Sequence, residues 1–120
     1  MSALPRPWRL LGATFLLLLL AACGPAYRGE PLYGPLTTTD PQVLRGERAF
    51  HVHCHQCHPG GAGGLGFALN DKPLPGGLIR FQVRNGLGAM PAFSPDEIPD
   101  DELDAIVRYV LVLRTQARGQ

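Results

Sequence analysis

Cys54-His55-Gln56-Cys57-His58 is the stretch around which the rest of the chain is organised. It has the pattern Cys-x-x-Cys-His, which is the attachment signature of a c-type haem. Two thiols three positions apart lie on one side of a helical turn, so both can form thioethers with the vinyl groups of one porphyrin. The adjacent His58 then offers a ring nitrogen to the iron as its proximal ligand. The motif therefore predicts one covalent haem c held by Cys54, Cys57 and His58.

Two other interpretations of the motif involve no haem. A Cys-x-x-Cys pair can be a redox dithiol, but that function normally occurs in a βαβ context, of which the sequence shows no sign. The pair can also be half of a zinc or copper site, and His51, His53 and His55 place further ligands nearby. We favour haem and keep a histidine-rich metal-binding lipoprotein as the alternative.

Residues 1–22 have the composition of a secretory signal peptide. Arg6 and Arg9 form a positive region, residues 10–20 are an almost unbroken apolar run, and the small pair Ala21-Ala22 follows. The run is too short for a comfortable transmembrane helix, so an uncleaved anchor is the less favoured alternative. We therefore expect an exported protein, in the periplasm or on the outer face of the cell membrane.

Leu20-Ala21-Ala22-Cys23 resembles the lipoprotein box of bacterial lipoproteins. The resemblance implies that Cys23 receives a diacylglyceryl group and becomes the first residue of a membrane-anchored chain. The cysteine count agrees, because Cys54 and Cys57 are assigned to haem and Cys23 to lipid, which leaves none of the three cysteines over. A plain surface thiol at Cys23 is the alternative, and it would be unusual in an exported protein.

The mature chain divides into a tether over residues 23–39 and a single domain over residues 40–120. Proline and glycine alternate in the tether without apolar periodicity, which favours an extended, semi-flexible chain. Over its whole length the protein has 11 basic and 10 acidic residues, for a formal net charge of +1. This balance provides no strongly basic face, so a nucleic acid is not an expected partner.

The pattern of the domain predicts helices and no strands. Asp40-Pro41 combines an N-cap side chain with a first-turn proline, and apolar residues then recur every three or four positions into the haem motif. A short apolar helix suited to burial is predicted within residues 75–84, with Asn85-Gly86 as its end. After a capping box at residues 94–97, the last helix is predicted from Asp100 to about residue 114.

Met90 is the predicted second axial ligand. It is the only methionine apart from Met1, and it lies between Gly86, Gly88 and Pro91, where its backbone is held and its side chain can be aimed. A thioether sulfur is a soft, neutral ligand that raises the reduction potential of haem iron relative to a second histidine. The alternative is a methionine that fills a gap in the core.

Residues 40–113 resemble the class I monohaem cytochrome c family. The resemblance rests on the haem motif, on Gly46 and Phe50 before it, on Gly-x-Gly-x-Met-Pro at residues 86–91, and on Tyr109. It implies a small all-α cytochrome c-like fold of three to four helices around one covalently attached haem. It also implies that the first and last helices cross at Gly46, with Phe50 and Tyr109 packed at the crossing.

In the same family a backbone carbonyl near a loop proline accepts the Nδ1–H of the proximal histidine. The matching stretch here, Gly66-Phe67-Ala68-Leu69, has no proline, so the sequence leaves the acceptor for His58 open. This contact matters because it tunes the basicity of the ligand.

These features together predict electron transfer. An iron bound by both His58 and Met90 has no open site for a substrate, so it can only change its oxidation state. We therefore expect an electron carrier and not an enzyme, anchored to a membrane and passing single electrons between respiratory or dehydrogenase partner proteins. A five-coordinate haem sensor or a peroxidase-like site is the alternative, and either would require that Met90 does not bind the iron.

Overall fold

Three α-helices joined by two long loops form the described part of the chain. The computed structural model describes residues 36–118, so the predicted signal peptide, Cys23 and most of the tether lie outside it. Helix α1 spans Pro41–His53, α2 spans Gly76–Asn85 and α3 spans Asp100–Arg118. Residues 36–118 contain no β-strand, which confirms the all-α prediction. None of these three helices has the length and apolar character needed to span a membrane.

Helix α1 begins with the predicted cap. The Gln42 backbone N–H donates to Oδ1 of Asp40 at 2.9 Å, and Pro41 occupies the first turn. Oδ2 of the same carboxylate accepts from Nε and Nη2 of Arg108 at 2.8 and 2.6 Å. Chiefly because of this guanidinium, the pKa of Asp40 lies below its ordinary value. The cap therefore also fixes the start of α1 to the middle of α3.

The crossing of α1 and α3 has the predicted geometry. A Cβ at Gly46 would overlap the backbone carbonyl of Ala105 and would lie 2.9 Å from the Cβ of Tyr109. A residue without a side chain is therefore needed for the two backbones to approach this closely. The rings of Phe50 and Tyr109 pack beside this point with their centroids 5.2 Å apart. Burial, with a smaller contribution from the charge of Glu47, raises the pKa of Tyr109 to about 12.

The core lies between α3 and the other two helices. The five apolar residues predicted for the core face of the last helix are all buried, namely Leu103, Ile106, Val107, Val110 and Leu113. Helix α2 packs against this core through the stripe formed by Ile79 and Val83. Leu78 and Phe81, which are three positions apart, lie on a different side of the helix from this stripe.

Candidate functional site

The Cys-x-x-Cys-His motif forms a tight turn at the end of α1. The Cys54 N–H donates to the carbonyl of Phe50 at 2.8 Å, and the N–H groups of Cys57 and His58 both donate to the carbonyl of Cys54, at 3.1 and 2.9 Å. Both thiols are free and half-buried. Cys54 packs against the core, and burial raises the pKa of its thiol to about 12. The turn therefore holds the two thiols and the imidazole on one short stretch of backbone.

His58 is oriented by the loop that follows it. Its Nδ1 lies 2.8 Å from the backbone carbonyl of Phe67. Because a carbonyl can only accept, the proton sits on Nδ1 and Nε2 keeps its lone pair for a metal. The acceptor that the sequence left open is therefore the carbonyl of Phe67.

A glycine lets this loop approach the imidazole. A Cβ at Gly66 would overlap Cε1 of His58 and would lie 2.8 Å from both ring nitrogens. The Gly66 N–H also donates to the carbonyl of Cys57 at 2.9 Å, which fixes the loop against the haem motif. The absence of a side chain at Gly66 is thus what allows the next residue, Phe67, to present its carbonyl to Nδ1.

The glycine-rich segment over residues 59–66 packs against α3 through Gly61. Residues Pro59–Gly61 form one 3₁₀ turn. Gly61 has φ +83°, and its carbonyl accepts from the N–H groups of Leu69 and Asn70 at 2.7 and 3.0 Å. A Cβ at Gly61 would overlap the side chain of Leu113. Gly61 therefore meets both conditions that favour glycine, a positive φ and a close contact.

Met90 closes a two-residue turn. The N–H of Leu87 donates to the carbonyl of Met90 at 3.1 Å, and the N–H of Met90 donates back at 3.0 Å. Gly88, the first central residue, has φ +58°, while the second has a negative φ, which is the pattern of a type II′ turn. Just before it, Gly86 has φ 71° and ψ 172°, a conformation available essentially only to glycine. The glycine frame inferred from the sequence therefore fixes the backbone on which Met90 is carried.

The donor set fits a c-type haem. Two thiols on one turn supply the groups that form thioethers, and the free Nε2 of His58 is the type of ligand that binds haem iron on the proximal side. Met90 supplies a thioether and is half-buried, and it packs against the same core as Cys54. The structure thus brings Cys54, Cys57 and His58 onto one turn and places Met90 beside the core that this turn borders. Cys23 lies outside the described residues.

The three remaining histidines do not form a common metal site. Nε2 of His53 lies 3.1 Å from Oε1 of Glu102, and Nδ1 of His55 accepts from the Gly60 N–H at 3.1 Å. The ring of His51 packs on that of His55, with centroids 4.6 Å apart. Over residues 36–118 no three histidine, cysteine or acidic side chains are grouped to hold a metal ion. This arrangement gives the histidine-rich metal site no support.

Arg84 is a residue of this region that the sequence pattern does not indicate. Its Nη1 donates to the backbone carbonyls of Phe93 and Ser94 at 3.1 and 3.2 Å, and its Nη2 donates to Oδ1 of Asp100 at 2.6 Å. The predicted capping box is present, since the Ser94 N–H donates to Oε2 of Glu97 at 2.8 Å. No sequence motif marks Arg84, because two of its three partners are backbone carbonyls.

Comparison with known proteins is consistent with this geometry. Residues 41–110 match the family model described as cytochrome C oxidase, cbb3-type, subunit III. Cytochrome c6 of Bryopsis maxima is 45% identical over 75 residues, which cover 54% of this chain and 84% of that protein. Cytochrome c6 of Tetradesmus obliquus is 39% identical over 75 residues, covering 54% of this chain and 83% of that protein. The 4-cresol dehydrogenase (hydroxylating) cytochrome c subunit of Pseudomonas putida is 33% identical over 78 residues, covering 65% and 68%.

Proposed function

The chain belongs to the class I monohaem cytochrome c family, and from this premise we propose that it carries single electrons between redox partner proteins. The observation that carries the proposal is the orientation of His58, whose Nδ1–H is tied to the carbonyl of Phe67 at 2.8 Å while Nε2 is free. The cofactor is one haem c, which supplies the one-electron chemistry when bound.

We assign the roles of the site residues as follows. Cys54 and Cys57 would form the thioethers, and His58 through Nε2 and Met90 through its sulfur would hold the iron. With both of these side chains bound to the iron, no position would be left for a substrate, and this would distinguish a carrier from an oxygenase or a peroxidase. The carbonyl of Phe67 makes His58 a more basic ligand, which favours ferric iron, whereas the neutral sulfur of Met90 favours ferrous iron.

The proposal includes a membrane anchor. Cys23 would carry the lipid, and the tether over residues 23–39 would allow the domain to reach on the order of 55 Å from the surface if fully extended. Two features of the sequence support this arrangement: the resemblance of residues 20–23 to the lipoprotein box, and the cysteine count. The domain would then work on the outer side of the bacterial inner membrane, as a carrier or as the haem subunit of a larger complex.

The partners are redox proteins of the respiratory or dehydrogenase class. One relative is described as the cytochrome c subunit of a dehydrogenase, and the matching family is described as an oxidase subunit, so both descriptions name a subunit of an oxidoreductase. A short tether suits such a role, because it keeps a small carrier at high effective concentration near a membrane-bound partner.

Carbon monoxide binding tests the proposal. The reduced holoprotein should not bind carbon monoxide rapidly at neutral pH, and the oxidised protein should show the weak sulfur-to-iron band at the red edge of the visible spectrum. Met90→Ala should lose this band and bind carbon monoxide. Leu87→Ala is the matched control, because Leu87 lies in the same turn, is 64% exposed and has no ligand atom. Rapid binding by the unmodified protein would instead indicate a five-coordinate haem sensor.

A further inference from the structure

Helix α2 is joined to the segment after Met90 by two consecutive residues. The carbonyl of Val83 accepts the Phe93 N–H at 2.9 Å. The next residue, Arg84, donates from Nη1 to the carbonyls of Phe93 and Ser94 at 3.1 and 3.2 Å. Three backbone groups that follow Met90 are therefore bound to one end of α2.

The same guanidinium also reaches α3. Nη2 of Arg84 lies 2.6 Å from Oδ1 of Asp100, the first residue of α3. The Arg84 side chain is 20% exposed, so water competes little for its donors. A planar guanidinium can serve these partners from two different nitrogens at once, whereas the single ammonium of a lysine cannot span them. Arg84 thus connects three parts of the fold: the end of α2, the loop and the start of α3.

The contacts of Val83 and Arg84 restrain the backbone that carries Met90. On the N-terminal side, Met90 is held by the reciprocal bonds to Leu87. On the C-terminal side only Pro91 and Ala92 separate it from Phe93, and the proline ring fixes one of the intervening backbone angles. A shift of Phe93 would therefore be passed on to Met90 and would not be absorbed by a long flexible stretch.

We propose that Arg84 is a positioning residue, which holds the Phe93–Ser94 backbone so that the sulfur of Met90 stays on the iron. The inference rests on the proposed function, because it requires Met90 to be the sixth ligand. A purely structural role would differ from this one, since it would change the stability of the fold without changing the hold on Met90 in the folded protein.

Arg45 provides a matched control for this distinction. Its Nη2 lies 2.7 Å from Oδ2 of Asp101, so it also joins a preceding helix to the first turn of α3. This ion pair connects α1 and α3, and neither Arg45 nor Asp101 belongs to the loop that carries Met90. Replacing either arginine by glutamine removes one positive charge and one link to α3, but only the Arg84 variant releases the loop.

The experiment measures how easily imidazole displaces Met90 from the oxidised holoprotein. Arg84→Gln should increase the apparent affinity for imidazole by about tenfold, the size expected for losing a charge-assisted hydrogen bond in a partly buried site. Arg45→Gln should bind imidazole as the unmodified protein does. The affinity of Arg84→Lys for imidazole should lie between those of the two glutamine variants, because lysine keeps the charge near Asp100 but cannot donate to both carbonyls. If Arg84→Gln is not recovered as holoprotein, the Lys variant alone provides the comparison with Arg45→Gln.

The outcomes separate the inference from the function on which it rests. If the unmodified protein lacks the sulfur-to-iron band and binds carbon monoxide, the proposed function fails and the inference fails with it. If the unmodified protein behaves as a carrier but the Arg84 variants bind imidazole no better than Arg45→Gln, only the inference is overturned. A greater affinity confined to the Arg84 variants, with the sulfur-to-iron band weakened in the same order, supports it.

Discussion

Gly66→Ala is the substitution that most directly probes how His58 is held. The φ of Gly66 is not positive, so alanine can adopt the backbone conformation and the effect comes from contact alone. The new Cβ would overlap Cε1 of His58 and lie 2.8 Å from Nδ1 and Nε2. Comfortable contacts between non-bonded carbon atoms begin at about 3.5 Å, so the loop must retreat by roughly 1 Å.

That retreat is enough to break the bond that orients the imidazole. The Nδ1–H now reaches the carbonyl of Phe67 at 2.8 Å, and an increase of roughly 1 Å takes the pair beyond hydrogen-bonding distance. Losing one such bond costs about 1 kcal/mol of stability. The ligand also becomes less basic, which disfavours ferric iron and raises the reduction potential. A tenfold change in the relative stability of the two oxidation states corresponds to about 59 mV for one electron, so we expect a rise of a few tens of millivolts.

A redox titration of the purified holoprotein tests this reasoning. Gly77→Ala is the control, because a Cβ at Gly77 meets nothing within 4 Å and the residue lies in the first turn of α2. The control should keep the potential of the unmodified protein and its stability, or gain a little stability. If Gly66→Ala retains its haem and its potential is unchanged or lower, the carbonyl of Phe67 does not tune His58 and the argument is wrong.

Three further predictions concern attachment, anchoring and pH. Haem should stay with the denatured protein through acid–organic extraction, and Cys57→Ser should weaken that retention; freely extracted haem in the unmodified protein would exclude covalent attachment. Mass spectrometry of the membrane fraction should find diacylglyceryl on Cys23, and Cys23→Ser should release the protein, whereas an equally membrane-bound variant would favour an uncleaved helix. Arg108 holds the pKa of the Asp40 carboxyl below 3.8, so the unmodified protein should be more stable than Asp40→Asn at pH 7. This difference in stability should be complete at pH 7 and should shrink as the pH falls below 3.8. Thermal unfolding across this range checks it, and a difference that does not change with pH would contradict it.

The parts of the fold that were predictable depend on local pattern. The cap at Asp40, the apolar stripe of α3 and the turn of the haem motif each involve residues close together in the chain, so their spacing carries the information. The crossing at Gly46 was also predictable, but only through the resemblance to a family. Periodicity alone says that a helix has a buried face and does not say which residue meets which.

The parts that were not predictable are contacts to the backbone or between distant residues. Nothing in the identity of Phe67 indicates that its carbonyl accepts from His58, since every residue carries a carbonyl. The same holds for Arg84, whose partners at Phe93 and Ser94 are main-chain oxygens.

The crossing of α1 and α3 has a consequence for the order in which the domain folds. Gly46 meets Ala105 and Tyr109, so the contact joins the first and last helices of the domain. A helix of 13 residues, such as α1, is marginal in water on its own and gains its stability from packing. Helix α1 should therefore become stable only once α3 packs against it, and closing so long a loop is a cost that only the complete core offsets. A chain that ends before α3 should thus lose α1 as well, because the two ends of the domain become ordered together.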